Sequence, residues 1–415
     1  MIHDPADEPG AEVPMASGTV RTGAQRLTEQ PGLAGDGRLG LVTNFTGVLP
    51  DLRQNTVAFL EAGVCLTALF GPEHGLRGSA QAGQSETEAT DPETGLPVFD
   101  TYRRQGTALD ELVEASGVEA LLFDIQDIGT RFYTYIWTMF DCMLTAGRLG
   151  RRFVVLDRPN PIGGQAVEGP VLQPGFESFV GRAPIPLRHG LTVGELAKQL
   201  NAISVPALLG RPVELEVIAM TGWTRDQLSD ETGLRWVPPS PNMPTAECAL
   251  VYPGTGLFEG TNLSEGRGTT RPFETIGAPY VDARLVPALQ ERELPGVGFR
   301  RTWFEPVFSK YAGRVLPGLQ LHVSDRATFE PVRTALVMLD VLRHLYPDDL
   351  AFRLPGQGVD NPGEGYAIDR LWGSDSLRKT VIAAEDPTAL LPSQANPVGP
   401  AAWVEPDVLL YKARR

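Results

Sequence analysis

The sequence predicts an α/β protein built on a Rossmann-like parallel sheet domain, followed by a second, smaller α/β C-terminal domain. Three observations carry that expectation. Between Leu39 and Pro161 short apolar runs alternate with polar turns and amphipathic segments, the pattern of a parallel sheet covered by helices. Each run is continuous in Val, Leu, Ile or Phe instead of alternating with polar residues, as strands buried on both faces require. From Trp236 to Pro279 the chain changes character, and strand and helix patterns resume beyond it. At 415 residues and 42% hydrophobic composition, it is long enough for two cores.

The elements follow in order. Leu39 to Thr43 opens the sheet, and Cys65 to Phe70, Ala120 to Ile125 and Phe153 to Leu156 continue it, so that four parallel strands are expected. Leu109, Leu112 and Val113 mark one helix. Ile136, Met139, Phe140, Met143 and Leu144 mark another at i, i+3, i+4, i+7, i+8 spacing. Thr192 and Glu195 form a capping box ahead of a helix with Val193, Leu196, Ala197 and Leu200 on one side, and Leu215 to Ala219 reads as a later strand. The stretch from Trp236 to Pro279, dense in Gly, Pro, Asn and Thr, reads as a long structureless loop, a feature that is usually functional. Phe299 to Trp303 and Leu319 to Val323 read as strands, and Val332 to Leu342 as a helix stopped near Pro347. The expected division is a flexible extension over 1–24, a Rossmann-like catalytic domain over 25–280 and the smaller domain over 281–415.

Charge and composition exclude several classes. Lys and Arg number 36 against 51 Asp and Glu, a formal charge of −15, which repels phosphate backbones and anionic lipid, so neither nucleic acid nor a membrane is an expected partner. No apolar run reaches the roughly 20 residues that span a bilayer. Met1 to Ser17 is acidic and rich in Pro and Gly, without a basic leader, so a cytoplasmic location is expected, with Met15 as an alternative start. Cys65, Cys142 and Cys248 lack CxxC spacing and read as small buried hydrophobes. The chain has no GxGxxG, GxxxxGK[ST] or GxSxG, and its five histidines lack metal-ligand spacing, so no cofactor, metal or serine nucleophile is expected.

Ligands of open parallel sheets bind beyond the carboxyl ends of the strands, and here each such end is polar. The first runs into Asn44 and Thr46; the second into Gly71-Pro72-Glu73-His74-Gly75-Leu76-Arg77-Gly78; the third into Asp124, Asp127, Arg131, Tyr133 and Tyr135; the fourth into Asp157, Arg158 and Asn160. Carboxylates are abundant, and glycoside hydrolysis needs little more than one acid and one base, nucleophile or charge stabiliser. Glu73, just beyond a buried strand, is the first candidate for the acid. Asp127 and Asp124 close the next strand, where the competing role is a helix cap. Arg131 suits a carboxylate-bearing ligand, and His74 and His189 suit hydrogen bonding to substrate or to a neighbour. The segment Glu259 to Thr270 interleaves glycines with sugar-type hydrogen bonders, including Asn262, Arg267 and the second catalytic candidate, Glu265.

Taken in order, these segments resemble the exo-β-N-acetylmuramidases of the NamZ type. The likeness runs through Val42-Thr43-Asn44, Gly71-Pro72-Glu73-His74-Gly75, Phe123 to Asp127, Arg131 to Tyr135, Leu156 to Pro161, Arg188-His189-Gly190, Ser240-Pro241-Asn242 and Thr261-Asn262 to Pro272-Phe273. It implies a Rossmann-like catalytic domain, a smaller C-terminal domain and an active site in the cleft between them. It also implies the substrate, a peptidoglycan-derived saccharide (MurNAc-GlcNAc or longer), whose lactyl carboxylate would give Arg131 or Arg267 a partner. Carried over by motif, Glu73 would be the catalytic acid or its partner, with His74, Asp124, Asp127, Tyr133 and Asn160 lining the sugar site. The rival readings are a non-catalytic binder of an acidic amino sugar and a glycosidase for another acidic sugar. Relatives that work outside the membrane are exported, whereas no export signal is visible here, which implies either recycling of internalised sugars or a different N-terminus.

Overall fold

The structure, a computed structural model, describes residues 20–78, 90–354, 365–391 and 399–414. Of the expected N-terminal extension, 1–19 lie outside the described residues. From Val20 the chain is already held to the body, with Val20 donating to the Thr232 carbonyl and Arg21 to that of Thr221.

In chain order the first strands are β1 (Leu39–Thr43), β2 (Leu66–Gly71), β3 (Val98–Asp100), β4 (Ala120–Asp124), β5 (Arg152–Leu156), β6 (Glu168–Val171), β7 (Pro186–Arg188) and β8 (Leu215–Ile218). Six of them form a parallel sheet in the order β3-β2-β1-β4-β5-β8. That is two more than the four expected before Pro161 and includes the later strand read at Leu215. β3, short and only half-buried, lies at the edge, where packing demands least of its sequence. β6 and β7 form a separate antiparallel pair.

The amphipathic patterns become helices over Thr107–Ser116, Tyr135–Leu149 and Val193–Ala202, the last with its Thr192/Glu195 capping box in place. Tyr135–Leu149 is buried along almost its whole length and ends at Gly150 in the left-handed conformation, a C-terminal stop that suits glycine.

Two expectations are overturned. Cys65 is exposed, because it precedes β2 instead of opening it, while Cys142 and Cys248 are buried. The stretch from Trp236 to Pro279 is not structureless: it holds a helix, Ala246–Thr255, a 3-10 turn, Gly256–Gly260, and β9 (Thr275–Gly277). β9 pairs antiparallel with β11 (Leu316–Val323), which pairs with β10 (Val297–Phe304). The helix Pro331–Leu345 packs on Ala246–Thr255 so closely that a Cβ on Gly254 would lie 1.9 Å from the Pro331 carbonyl oxygen. A single apolar cluster runs from Phe70 and Phe123 through Tyr252 and Leu336 to Trp372, so the C-terminal layer shares its core with the sheet. Among the described residues, no helix is long and apolar enough to cross a membrane.

Candidate active site

Strand order reverses between β1 and β4, so their crossovers leave on opposite sides and open a crevice at the carboxyl ends. Beside it, β2 ends at Gly71 and turns at once. Gly75 donates to the Pro72 carbonyl, and both His74 (φ 71) and Gly75 (φ 77) take left-handed backbone. For His74 this conformation is uncommon. The turn leaves Glu73 half-buried, and Thr134 Oγ1 donates to its Oε2 at 2.6 Å. Thr134 stands at the N-cap of the helix Tyr135–Leu149 yet makes no capping bond with its side chain. The hydroxyl that would ordinarily satisfy a helix amide holds the Glu73 carboxyl instead.

Asp127 sits across the turn after β4. Its Oδ2 accepts from Gly129 N–H at 2.8 Å and lies 3.3 Å from His189 Nε2. His189 is fully buried and its Nδ1 accepts from Leu191 N–H, so in the neutral ring the proton resides on Nε2, facing Asp127. Buried Asp127 Oδ1, Tyr133 O–H, Asn44 Nδ2 and Asn242 Nδ2 have no protein partner. These are the acceptor and donors a polyhydroxylated ligand requires.

Tyr133 packs edge-on against Tyr135 and Tyr252, with centroids at 5.2 and 6.0 Å. Burial pushes the Tyr133 phenol well above its ordinary value, and the neighbouring tyrosines and the charges of Asp127 and Glu73 act in the same direction. It is a permanent neutral donor, and both carboxylates act on it from one site.

Several polar residues of the rim are structural. Asp124 is fully buried and takes Arg158 Nε at 2.5 Å, Arg158 Nη2 at 2.8 Å and Asn55 Nδ2 at 2.7 Å. Asn160 bonds the Leu191 carbonyl and the Ile162 amide. Asp157 receives Gly194 N–H, Thr192 Oγ1 and the Tyr411 hydroxyl. Asp124, Asp157, Arg158 and Asn160, read as substrate contacts, thus tie strand ends together.

Profiles of the two halves of one family match the chain: Exo-beta-N-acetylmuramidase NamZ, N-terminal, over residues 39–247, and its C-terminal counterpart over 250–399. The chain is 46% identical over 351 residues to the peptidoglycan beta-N-acetylmuramidase NamZ of Bacillus subtilis (strain 168), covering 84% of this chain and 83% of the relative. The chain belongs to the NamZ family. Two DUF1343 family proteins of Bacteroides fragilis share the fold. One has a TM-score of 0.77 at 36% identity, covering 88% of this chain and 91% of its own. The other scores 0.71 at 27% identity, covering 95% and 99%.

Within this NamZ-family chain, the remaining expected residues lie as follows. Arg131 is wholly buried, its Nη1 donating to the Pro170 and Ile185 carbonyls and its Nη2 to those of Leu371 and Trp372. Burial pushes its pKa down to about 9. It straps the sheet layer to the C-terminal layer and presents neither terminal nitrogen to a substrate carboxylate. Arg267 bonds Glu259 and stacks over Phe273, with Glu265 at 3.5 Å. Glu265 is buried 2.8 Å from Lys310 Nζ, which also donates to the carbonyls of Phe258, Thr261 and Leu263. Burial raises the Glu265 pKa, but the Lys310 and Arg267 charges outweigh it and hold the carboxyl below the usual range. Glu265 is therefore a locked anion and cannot donate a proton at neutral pH.

Asn262 is taken up by Asp349, Tyr280 and Ala351. Arg77 is well exposed, 3.6 Å from Asp91. Sequence reading gave no role to Thr134 or Tyr252. Thr134 carries one usable signal, a threonine between two tyrosines just ahead of a helix. Tyr252 lies in an apolar helix and carries none.

Proposed function

We propose that this chain hydrolyses the bond joining a non-reducing-end N-acetylmuramic acid to the rest of a peptidoglycan fragment, with Glu73 protonating the leaving oxygen. The activity follows from membership of the exo-β-N-acetylmuramidase family and from the Bacillus relative, a peptidoglycan beta-N-acetylmuramidase. The observation that supports the residue assignment is the Thr134 hydroxyl bonded to Glu73. A carboxyl at a strand end, half-buried and oriented by Thr134, has the placement a general acid requires.

Asp127 is the second carboxylate. Gly129 N–H holds one of its oxygens, with His189 Nε2 3.3 Å away, and the other oxygen, buried without a hydrogen-bond partner, stabilises positive charge developing on the sugar ring or activates the attacking group. Tyr133, Asn44 and Asn242 supply neutral donors to sugar hydroxyl and acetamido oxygens. The substrate is a saccharide of the MurNAc-GlcNAc type or longer.

Glu73→Gln keeps the shape and the acceptor for Thr134 but removes the acid. Its turnover of MurNAc-GlcNAc, whose sugar alkoxide leaving group needs a proton, should fall by about a hundredfold or more, with saccharide affinity retained. A wild-type protein that cleaves the GlcNAc glycoside and leaves the MurNAc glycoside intact would overturn the specificity. A Glu73→Gln variant of unchanged turnover would overturn the residue assignment.

A further inference from the structure

A second cavity, of about 480 Å³, opens outside the Glu73 site, between the segment after β3, the loop Gly175 to Val180 and the residues from Gly365 to Arg370. Half-buried Phe176, Phe179 and Tyr366 form its apolar wall. Such aromatic surfaces pack against the C–H faces of sugar rings. Arg103 stands on its rim. The Arg103 guanidinium lies 5.0 Å from the centroid of the Tyr102 ring and 5.7 Å from that of Phe179, and the two rings meet edge to face at 5.6 Å.

Two facts mark Arg103 as positioned instead of incidental. Its backbone is left-handed, φ 56, a conformation uncommon for a non-glycine residue. Among the described residues it has no carboxylate partner, whereas Arg378 is paired with Asp369 and Arg148 with Asp110. The cavity's own acids do not neutralise it. Asp369 is taken by Arg378 through bonds of 2.7 to 3.0 Å, and Glu177 accepts from Gly175 N–H at 2.8 Å. Arg370 adds a second cation to the wall.

The cavity adjoins the catalytic turn. Asp100 pairs with Gly71, and the Thr101 amide and hydroxyl both donate to the Gly71 carbonyl. The chain bearing Arg103 and the chain bearing Glu73 thus leave neighbouring strands side by side, about 5 Å apart in the sheet, and diverge over two or three residues. The lining of the cavity does not include Glu73 or Asp127, so it is adjacent to the proposed reacting site and distinct from it.

We propose that this cavity is a binding site for the leaving-group side of the substrate, in which the aromatic wall takes a sugar ring and Arg103 pairs with a carboxylate carried by the saccharide. The site deepens the muramidase reading and rests on it for the direction of the chain. It gives a role as carboxylate partner to an arginine that sequence reading passed over, while Arg131 and Arg267 are engaged elsewhere.

The test is calorimetric binding of two disaccharides, GlcNAc-MurNAc with its lactyl carboxylate and the neutral chitobiose, to the full chain and to Arg103→Gln and Phe179→Ala. Arg103→Gln should weaken the acidic disaccharide by about tenfold, the size expected for one charge-assisted bond, and the neutral one far less. Phe179→Ala should weaken both. A third arm with peptide-bearing GlcNAc-MurNAc distinguishes a stem-peptide carboxylate from the lactyl one, because only the former restricts the Arg103 effect to the peptide form. Equal affinities for both variants and the wild type would overturn the proposal. So would an Arg103→Gln variant that instead loses discrimination between aryl MurNAc and aryl GlcNAc glycosides, since Arg103 would then serve the reacting ring. Failure of the wild type to cleave any aryl MurNAc glycoside would sink the catalytic reading but leave these affinities to be read on their own.

Discussion

Thr134 offers the sharpest residue-scale test, because its hydroxyl holds Glu73 and makes no bond to its own helix. Thr134→Val preserves shape and removes that bond. A carboxyl released from its orientation should cost kcat about ten- to a hundredfold, in line with the penalty for misplaced catalytic groups, while the melting temperature changes little. Thr134→Ser should restore most of the rate, and the alkaline limb of the pH–rate profile, where a general acid is lost, should move in the valine variant and return in the serine one. A valine variant with wild-type kcat would show that Glu73 is aimed without the Thr134 hydroxyl. The sequence revealed this residue only in part. Glu73, Asp127, His189 and Tyr133, the residues of the proposed site, stand out in the sequence because they close buried strands or flank them. Arg131, Asp124, Arg158 and Asn262 have the same polar, loop-borne look. Whether such a residue meets substrate or the chain's own groups is decided by contacts distant in sequence, such as Asp124 with Arg158, 34 residues on, and Arg131 with Trp372, 241 residues on, which no local pattern records.

At the scale of elements, that Arg131 strap joins the end of β4, the β6–β7 pair and the helix Ala367–Trp372 through four carbonyls. Arg131→Met leaves these acceptors buried and unpaired and should destabilise the protein by about 3–5 kcal/mol, as leaving several buried acceptors unsatisfied does. Lysine, a single ammonium without the planar fork, should recover only a minor part. Denaturant unfolding of both variants reads this directly, and a methionine variant within about 1 kcal/mol of wild type would mean that water replaces the guanidinium at little cost. Elements were legible where side-chain periodicity set them: each strand of the parallel sheet up to β5 except the edge strand β3, and the helices over 107–116, 135–149 and 193–202. The helix Ala246–Thr255 was not, since Pro253, Gly254 and Thr255 are poor helix formers. It forms because Gly254 lets Pro331 approach to a distance no side chain would permit, a tertiary cause absent from the local sequence.

Across the whole molecule, the C-terminal segment returns to the parallel sheet and fastens there. Leu410 N–H bonds Glu195 Oε1, Arg225 N–H bonds the Lys412 carbonyl, and the Tyr411 hydroxyl donates to Asp157 Oδ2 at 2.5 Å while its ring packs on Trp223. Burial, reinforced by the charge of Glu195, pushes the Asp157 carboxyl up to about 7, although Tyr411, Gly194 and Thr192 each favour its ionised form. In an unfolded chain the same group titrates near 4. The folded protein therefore binds a proton that the unfolded chain has released between about pH 4 and pH 7. Linkage makes this group's contribution to stability complete at the acid end of that window and lost as pH rises through 7. Tyr411→Phe removes a donor to the carboxylate, so the ionised form loses more than the protonated one. The variant's melting temperature should lie a few degrees below wild type at pH 8, with a smaller gap at pH 5. Thermal denaturation of both proteins at the two pH values measures the difference, and referring each variant to wild type at the same pH cancels the titration of every other group. An equal gap at both would mean that the Tyr411 hydroxyl acts through the Met220 amide from which it also accepts, and that Asp157 does not couple the C-terminal segment to proton activity.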